Sequence, residues 1–390
     1  MLVQVPSVNP SIAPSEAYGE SQVASVARDW LLAHGVRAWL EEPAPGRANL
    51  VAETGSATGP LLVFCAHLDT VGTEGMSISP FEATVTDGRL YGRGSYDMKG
   101  SAAAILVALE TLQRSSFEGR VMAALVADEE YASLGADDFV RKHRADACVV
   151  TEPSHGQLIL AHKGFVWLRI STTGRAAHGS RFDLGVSAIG SMGRVVAALE
   201  RFDRETLRQR THPLVGAASM HCALIEGGTG LSTYAPSCTL KVERRTLPGE
   251  SPGTVAEEIR SVIAQAGETA DVEVMFERPG LVCDRASPIA RAVREAATAV
   301  VGRPPEETGV AYWMDAAIFA AAGTPTVNYG PVGAGAHEAI EWVDLKSLVE
   351  CSNVLVETAH RFFGHPQAAK IAQTSKAVAD SQIHGNHTGA

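Results

Sequence analysis

The chain has 390 residues, more than a single hydrophobic core usually serves, so a large domain with a smaller companion is expected. Its 33 Lys and Arg stand against 44 Asp and Glu for a formal charge of -11, and no basic stripe interleaved with aromatics occurs, which argues against a nucleic-acid partner. Residues 1–15 lack a cationic lead and an apolar run of signal length, and no stretch approaches a membrane span, so a cytoplasmic protein with no membrane partner is expected.

In chain order, short apolar runs rich in β-branched residues at 61–66, 121–127, 147–151 and 324–329 end abruptly in polar residues and read as buried strands. Between them, 98–113 is alanine-rich and free of internal proline, and 134–143 is a second helical stretch. Asp87-Gly88, within 83–91, favours a type I′ turn and predicts a hairpin. Alternating strands and helices predict an α/β fold, a mostly parallel sheet with helices on both faces. From about Gly164 the order changes: a strand at 165–170, a helix at 184–202, strands at 218–225 and 238–245, a helix from Pro252 and a strand at 272–276. This βαββαβ order is the ferredoxin-like unit. We therefore expect an inserted domain at 164–277, a larger one formed by 1–163 and 278–365, and a disordered tail at 366–390 containing His384 and His387.

Chemistry-bearing residues follow the predicted strands one after another: His67 and Asp69 after the first, Asp97 at the entry to a helix, Glu129 and Glu130, then Glu152, and late in the chain His337. Strand ends of an open α/β sheet converge on one crevice. Taken singly, each residue has an ordinary role: a core histidine, a helix cap, a solvated charge pair. Burying so many carboxylates together without cations would cost many kcal/mol, and imidazole with carboxylate suits zinc. Cys65, Cys148, Cys222, Cys238, Cys283 and Cys351 form no CxxC pair, so a metal here must use histidine and carboxylate.

In its ordered motifs the chain resembles the dinuclear zinc hydrolases that include acetylornithine deacetylase, succinyl-diaminopimelate desuccinylase, aminoacylase and glutamate carboxypeptidase. The motifs are Pro6-Ser7-Val8-Asn9-Pro10, His67-Leu68-Asp69-Thr70, Gly92-Arg93-Gly94 leading to Asp97-Met98-Lys99-Gly100, Glu129-Glu130, Glu152-Pro153, Ala177-His178-Gly179-Ser180, Arg245 before Leu247-Pro248-Gly249-Glu250, and Gly335-Ala336-His337. The resemblance implies two zinc ions per chain, with Co2+ or Mn2+ able to substitute. Asp97 would bridge both, His67 and Glu152 would hold one, and Glu130 and His337 the other. It further implies Glu129 as general base, Asp69 as the acceptor orienting His67, a cis peptide between Asp97 and Met98, and an inserted domain that acts as lid and dimerisation surface. On that domain His178 would stabilise an oxyanion and Arg245 would grip a substrate carboxylate, with Arg244 beside it as a competitor.

Ser232 stands where many relatives carry asparagine, and the loop 308–315, with Gly309, Tyr312 and Trp313, either lines the substrate pocket or packs the core. The implied activity is hydrolysis of an amide bond in an N-acyl amino acid or peptide-like small molecule with a free carboxylate, in a homodimer. An aminopeptidase or dipeptidase is the alternative, disfavoured because such relatives commonly carry aspartate where Glu152 stands, and a non-catalytic zinc-binding protein is a more distant one. The stretch His337-Glu338-Ala339-Ile340-Glu341 looks like a zincin helix but lacks the second histidine of HExxH, leaving His337 as its one ligand.

Overall fold

The computed structural model describes residues 1–16 and 18–364; the tail expected at 366–390 lies outside the described residues. In chain order the elements are α1 (Ser21–Ala33), β1 (Arg37–Ala44), β2 (Arg47–Gly55), β3 (Leu61–His67), β4 (Thr84–Thr86), β5 (Arg89–Tyr91), α2 (Gly100–Gln113), β6 (Arg120–Val126), α3 (Leu134–Lys142), β7 (Ala147–Val150) and β8 (Leu158–His162). There follow β9 (Gly164–Thr173), α4 (Ala188–Glu205), β10 (Thr211–His212), β11 (Gly216–Ala217), β12 (Ser219–Gly227), β13 (Ser237–Thr246), α5 (Pro252–Gln265), β14 (Asp271–Arg278) and β15 (Leu281–Val282). The chain continues with α6 (Pro288–Val301), β16 (Glu307–Val310), α7 (Ala316–Ala321), β17 (Thr326–Asn328), β18 (Gly333–Ala334), β19 (Trp342–Asp344) and α8 (Leu345–Phe362). Two compact units result, one of Met1–Leu160, Cys283–Glu307 and the described residues from Met314 onward, the other of Ala161–Val282 with Thr308–Trp313.

The first unit is built on a mostly parallel sheet in which β6, β3, β7 and β17 run parallel, with β2 and β1 added antiparallel beside β6. Every residue of β3 and β7 is buried, so both faces of these strands are covered, as their uninterrupted apolar runs require. α2 packs against β2, β3 and β6 with Ile105, Leu106, Leu109 and Leu112 buried, and also meets α8. The predicted hairpin is β4–β5, with both Asp87 (φ 51°) and Gly88 (φ 74°) left-handed as a type I′ turn demands; it continues through β5 into β19 and β18. Among the described residues no helix is long and apolar enough to cross a membrane.

The second unit contains an antiparallel sheet in the order β12-β13-β9-β14, with α4 and α5 completing a βαββαβ chain path. One sheet face supplies Val166, Leu168, Ile170, Leu240 and Val242 to a core shared with Met192, Val195 and Leu199 of α4 and Val255, Ile259 and Ile263 of α5. Serines start both helices: Ser187 Oγ accepts from Gly190 N at 3.1 Å and Ser251 Oγ from Thr254 N at 3.2 Å, with Pro252 at the first turn where its missing N–H costs nothing.

Candidate metal centre

Parallel pairing in the order β6-β3-β7 sets three carboxyl ends side by side. His67 closes β3, Glu129 and Glu130 follow β6, and Glu152 follows β7. Asp97 lies in the turn Ser95–Lys99 that feeds α2, and the Asp97–Met98 peptide is cis. His337, with φ 62°, sits on the turn between β18 and β19, so the stretch that looks like a zincin helix is not helical.

All of these residues meet in the first unit. Ligand-type atoms of His67, Asp97 and Glu130 lie within 4.8 Å of one another, and so do those of His67, Glu129 and Glu152. Asp97 faces two histidines with different oxygens: Oδ1 is 3.1 Å from His67 Nε2, and Oδ2 is 3.3 Å from His337 Nε2. His67 Nε2 also lies 3.5 Å from Glu152, and His337 Nε2 lies 3.1 Å from Glu130.

Charge and burial pull against each other here. Burial, reinforced by neighbouring carboxylates, pushes Glu129 and Glu152 well above the usual carboxylate range, and burial raises Glu130. Burial disfavours a charge on His67, but Glu152, Asp69 and Asp97 outweigh it and hold its pKa well up. Hydrogen bonds with Asp97 and Glu130 push His337 up to about 10. The cluster is thus a buried surplus of negative charge with oxygen and imidazole donors aimed inward, the environment that divalent cations neutralise. The residues present fit a metal pair.

Asp69 faces both His67 and the turn that follows β6. The imidazole Nδ1 of His67 points to the backbone carbonyl of Asp69 at 2.9 Å, while the Asp69 carboxylate stands farther off at 3.6 Å. That carboxylate accepts the backbone N–H groups of Glu129 and Glu130, each at 3.1 Å, and Asn9 Nδ2 at 2.7 Å. It is therefore the clamp that holds the Glu129-Glu130 turn against the end of β3. Behind it Asn9 also donates to Asp128 at 3.0 Å, and Arg47 joins Asp128 (2.7 Å) to Glu20 (2.6 and 2.7 Å) in a buried network. Of these supports Asn9 lies in the early Pro6–Pro10 motif and Asp128 directly precedes Glu129-Glu130, whereas single charged residues such as Arg47 and Glu20 carry no pattern that separates them from surface charges.

The remaining predicted residues belong to the second unit. His178 is exposed, its Nδ1 2.8 Å from Ser180 Oγ, and its strand-like bridge to Thr233 places it beside Ser232, whose carbonyl accepts Gly179 N at 2.7 Å. Arg245 shares the more exposed face of β13 with Lys241 and Glu243, pairs with Glu243 at 2.9 Å and lies over the Phe165 ring. Arg244 points the other way, is fully buried and is held by Glu250 at 2.8 and 3.0 Å. Gly309 approaches the backbone closely, since a Cβ there would stand 2.9 Å from the Ala161 carbonyl oxygen. In the same loop Trp313 packs edge-on to Phe165 and donates to the Pro279 carbonyl at 3.0 Å, whereas Tyr312 is exposed.

The acetylornithine deacetylase of Vibrio cholerae is 34% identical over 239 residues, 60% of this chain, and the match spans 63% of that protein's length, less than two thirds of it. The acetylornithine deacetylase of Proteus mirabilis is 30% identical over 360 residues, 88% of this chain and 90% of that protein. An aminopeptidase from Bacillus cereus has a similar fold, with a TM-score of 0.76 at 20% identity over 93% of this chain and 96% of that one. Residues 63–361 match Peptidase family M20/M25/M40. That span runs from β3, which carries His67, to the end of α8, and the chain belongs to this family.

Proposed function

We propose that the protein is a zinc-dependent deacylase that hydrolyses the amide bond of an N-acyl amino acid, or of a small peptide-like molecule with a free carboxylate. The observation that carries the reading is Asp97, whose two oxygens face two different histidines, each with a second carboxylate at hand. His67 and Glu152 would hold one zinc ion, Glu130 and His337 the other, and Asp97 both. When bound, the ions supply Lewis acidity toward water and the amide carbonyl at neutral pH.

The protein's own groups do the rest. Glu129 is the general base: it takes a proton from the attacking water and returns it to the departing amine. Burial beside Glu152 raises its pKa, in the direction a proton shuttle working near neutrality requires. Asp69 acts on Glu129 through the backbone, fixing the turn from which its side chain projects. On the second unit His178 donates to the oxyanion, Arg245 pairs with the substrate carboxylate, and Ser232 and Gly309 border the substrate. The chain works as a cytoplasmic homodimer through this unit, with His178 serving the partner's site.

The names of the relatives favour a deacylase over an aminopeptidase or dipeptidase. The test is turnover of N-acetyl, N-succinyl and longer N-acyl amino acids against dipeptides by the zinc-loaded enzyme, together with metal analysis at saturation. The reading expects two ions per chain and faster turnover of at least one N-acyl amino acid than of any dipeptide. Turnover of dipeptides alone, or full activity with one ion, would sink it.

A further inference from the structure

Glu341 ends the stretch that resembles a broken zincin motif, and it belongs to neither ligand-type cluster. It is nevertheless fully buried, and its carboxylate accepts four hydrogen bonds from one short segment. Oε1 takes the backbone N–H of Tyr96 at 2.9 Å and of Asp97 at 3.0 Å; Oε2 takes the N–H of Gly94 at 3.0 Å and Arg93 Nη1 at 2.8 Å. The backbone repeats the join, with Gly92 N donating to the Glu341 carbonyl at 3.1 Å and Arg93 Nη2 to that of Glu338 at 3.2 Å. The turn behind it is closed tightly: Gly335 has φ 84°, and a Cβ there would stand 1.8 Å from the Ile340 carbonyl oxygen. One carboxylate therefore connects the loop that carries His337 to the backbone of Asp97 itself.

We infer that Glu341 is a positioning residue that sets Asp97 against His337 and so fixes the metal position those two residues share. The inference rests on the proposed reading of Asp97 and His337 as metal ligands. Its chemistry is specific. All four partners are donors, and only an ionised carboxylate offers two acceptor oxygens and no donor of its own. Glutamine has the same shape but keeps one oxygen and turns an NH2 group toward two of the donors. Whichever pair meets the NH2 group, the segment from Arg93 to Asp97 loses two of its four anchors, and the 3.3 Å separation of Asp97 Oδ2 from His337 Nε2 would be held less firmly.

The test strips metal from the wild-type chain and from Glu341→Gln and titrates both with Co2+, reading the amount bound and the visible spectrum of the ion. We expect two ions on the wild type, and on the variant a loss of affinity of roughly 10- to 100-fold at one position with an altered spectrum, as for other groups that orient ligands. A purely structural role would lower the melting temperature of the metal-free variant and leave cobalt affinity and spectrum unchanged; that result overturns the inference. No cobalt on the wild type would instead remove the metal reading on which it rests. Should Glu341→Gln fail to fold, hydrogen exchange on the metal-free wild type decides. The amides of Gly94, Tyr96 and Asp97 must be protected before metal is added, and exchange at the unprotected rate overturns the inference.

Discussion

Arg47, at the start of β2, is the cation of a buried network that ends on the Glu129-Glu130 turn, and replacing it by Met tests how much that network carries. Its guanidinium makes bonds of 2.7 and 2.6 Å to Glu20 and of 2.7 Å to Asp128, and neither carboxylate has measurable exposure. Burial pushes the Glu20 pKa up, and Arg47 is the group that opposes it. Removing one partner of a buried ion pair typically costs about 3 to 5 kcal/mol, because the remaining charge is left without compensation. Here two carboxylates lose a shared partner. Asp128 keeps Asn9 at 3.0 Å, and Glu20 can take up a proton, so the lower half of that range applies, about 3 to 4 kcal/mol.

Because the chain has two compact units, a single global transition is a poor measure; denaturant-dependent hydrogen exchange of peptides from β1 and β2 reads the first unit directly. Adding Glu20→Gln to Arg47→Met should recover at least about 1 kcal/mol, since one stranded charge is gone. A loss below about 1 kcal/mol for Arg47→Met, or a double variant as unstable as the sum of the singles, would refute the reasoning.

Glu129→Gln should keep the metal content of the wild type and lower kcat by at least the roughly 10²- to 10⁴-fold typical of general-base help; rates near wild type would remove Glu129 from the chemistry. Arg245→Ala should raise KM far more for a free-acid substrate than for its amide, and equal losses on both would assign it a structural role. His162 gives the second unit an acid limb. Burial lowers its pKa to about 4, Nδ1 donates to the Lys163 carbonyl, and Nε2 is buried without a hydrogen-bond partner. With an unfolded value near 6.5, the unfolded chain binds the extra proton first as pH falls, so about 3 kcal/mol of stability present above pH 6.5 is lost on descending to pH 4. His162→Phe should flatten that slope in the second unit, as measured by hydrogen exchange across the range; an unchanged slope would refute the assignment.

The parallel strands were legible because a strand buried on both faces must be apolar at every position, as 61–66, 121–127 and 147–151 are. The βαββαβ unit was legible for a different reason, the alternation of apolar and polar residues along β13 and the Pro252 that opens the helix after it. The β1–β2 hairpin was not. β1 is a sheet edge, exposed or half-buried along its length and carrying Glu41, Glu42 and Pro43, so neither an apolar run nor a clean alternation marks it. α8 was missed because polar residues interrupt its inward side: Ser347, Ser352, Glu357, Thr358 and His360 are all buried there. The residues proposed to hold metal were visible as motifs, His67, Glu129, Glu130 and Glu152 at strand ends, Asp97 at a helix entry and His337 in a late loop.

The residues that hold them in place were visible only in part, and the reason is physical. A ligand must be one of a few residue types at a strand end, which leaves a trace in sequence, whereas its supports are chosen by three-dimensional neighbours 27 to 248 positions away. Asp69 and Glu341 make the point together. Asp69 stands two residues after His67 and Glu341 four after His337, yet each spends its carboxylate on distant backbone N–H groups, Asp69 on Glu129 and Glu130, Glu341 on Gly94, Tyr96 and Asp97. The end of β3 and the Glu129-Glu130 turn, like the late loop and the helix entry, are joined by acceptor-only groups that gather donors. A buried carboxylate is stable only where such donors converge. The same donors that let Asp69 and Glu341 be buried therefore bring the loops bearing Glu129, Glu130, Asp97 and His337 to one place.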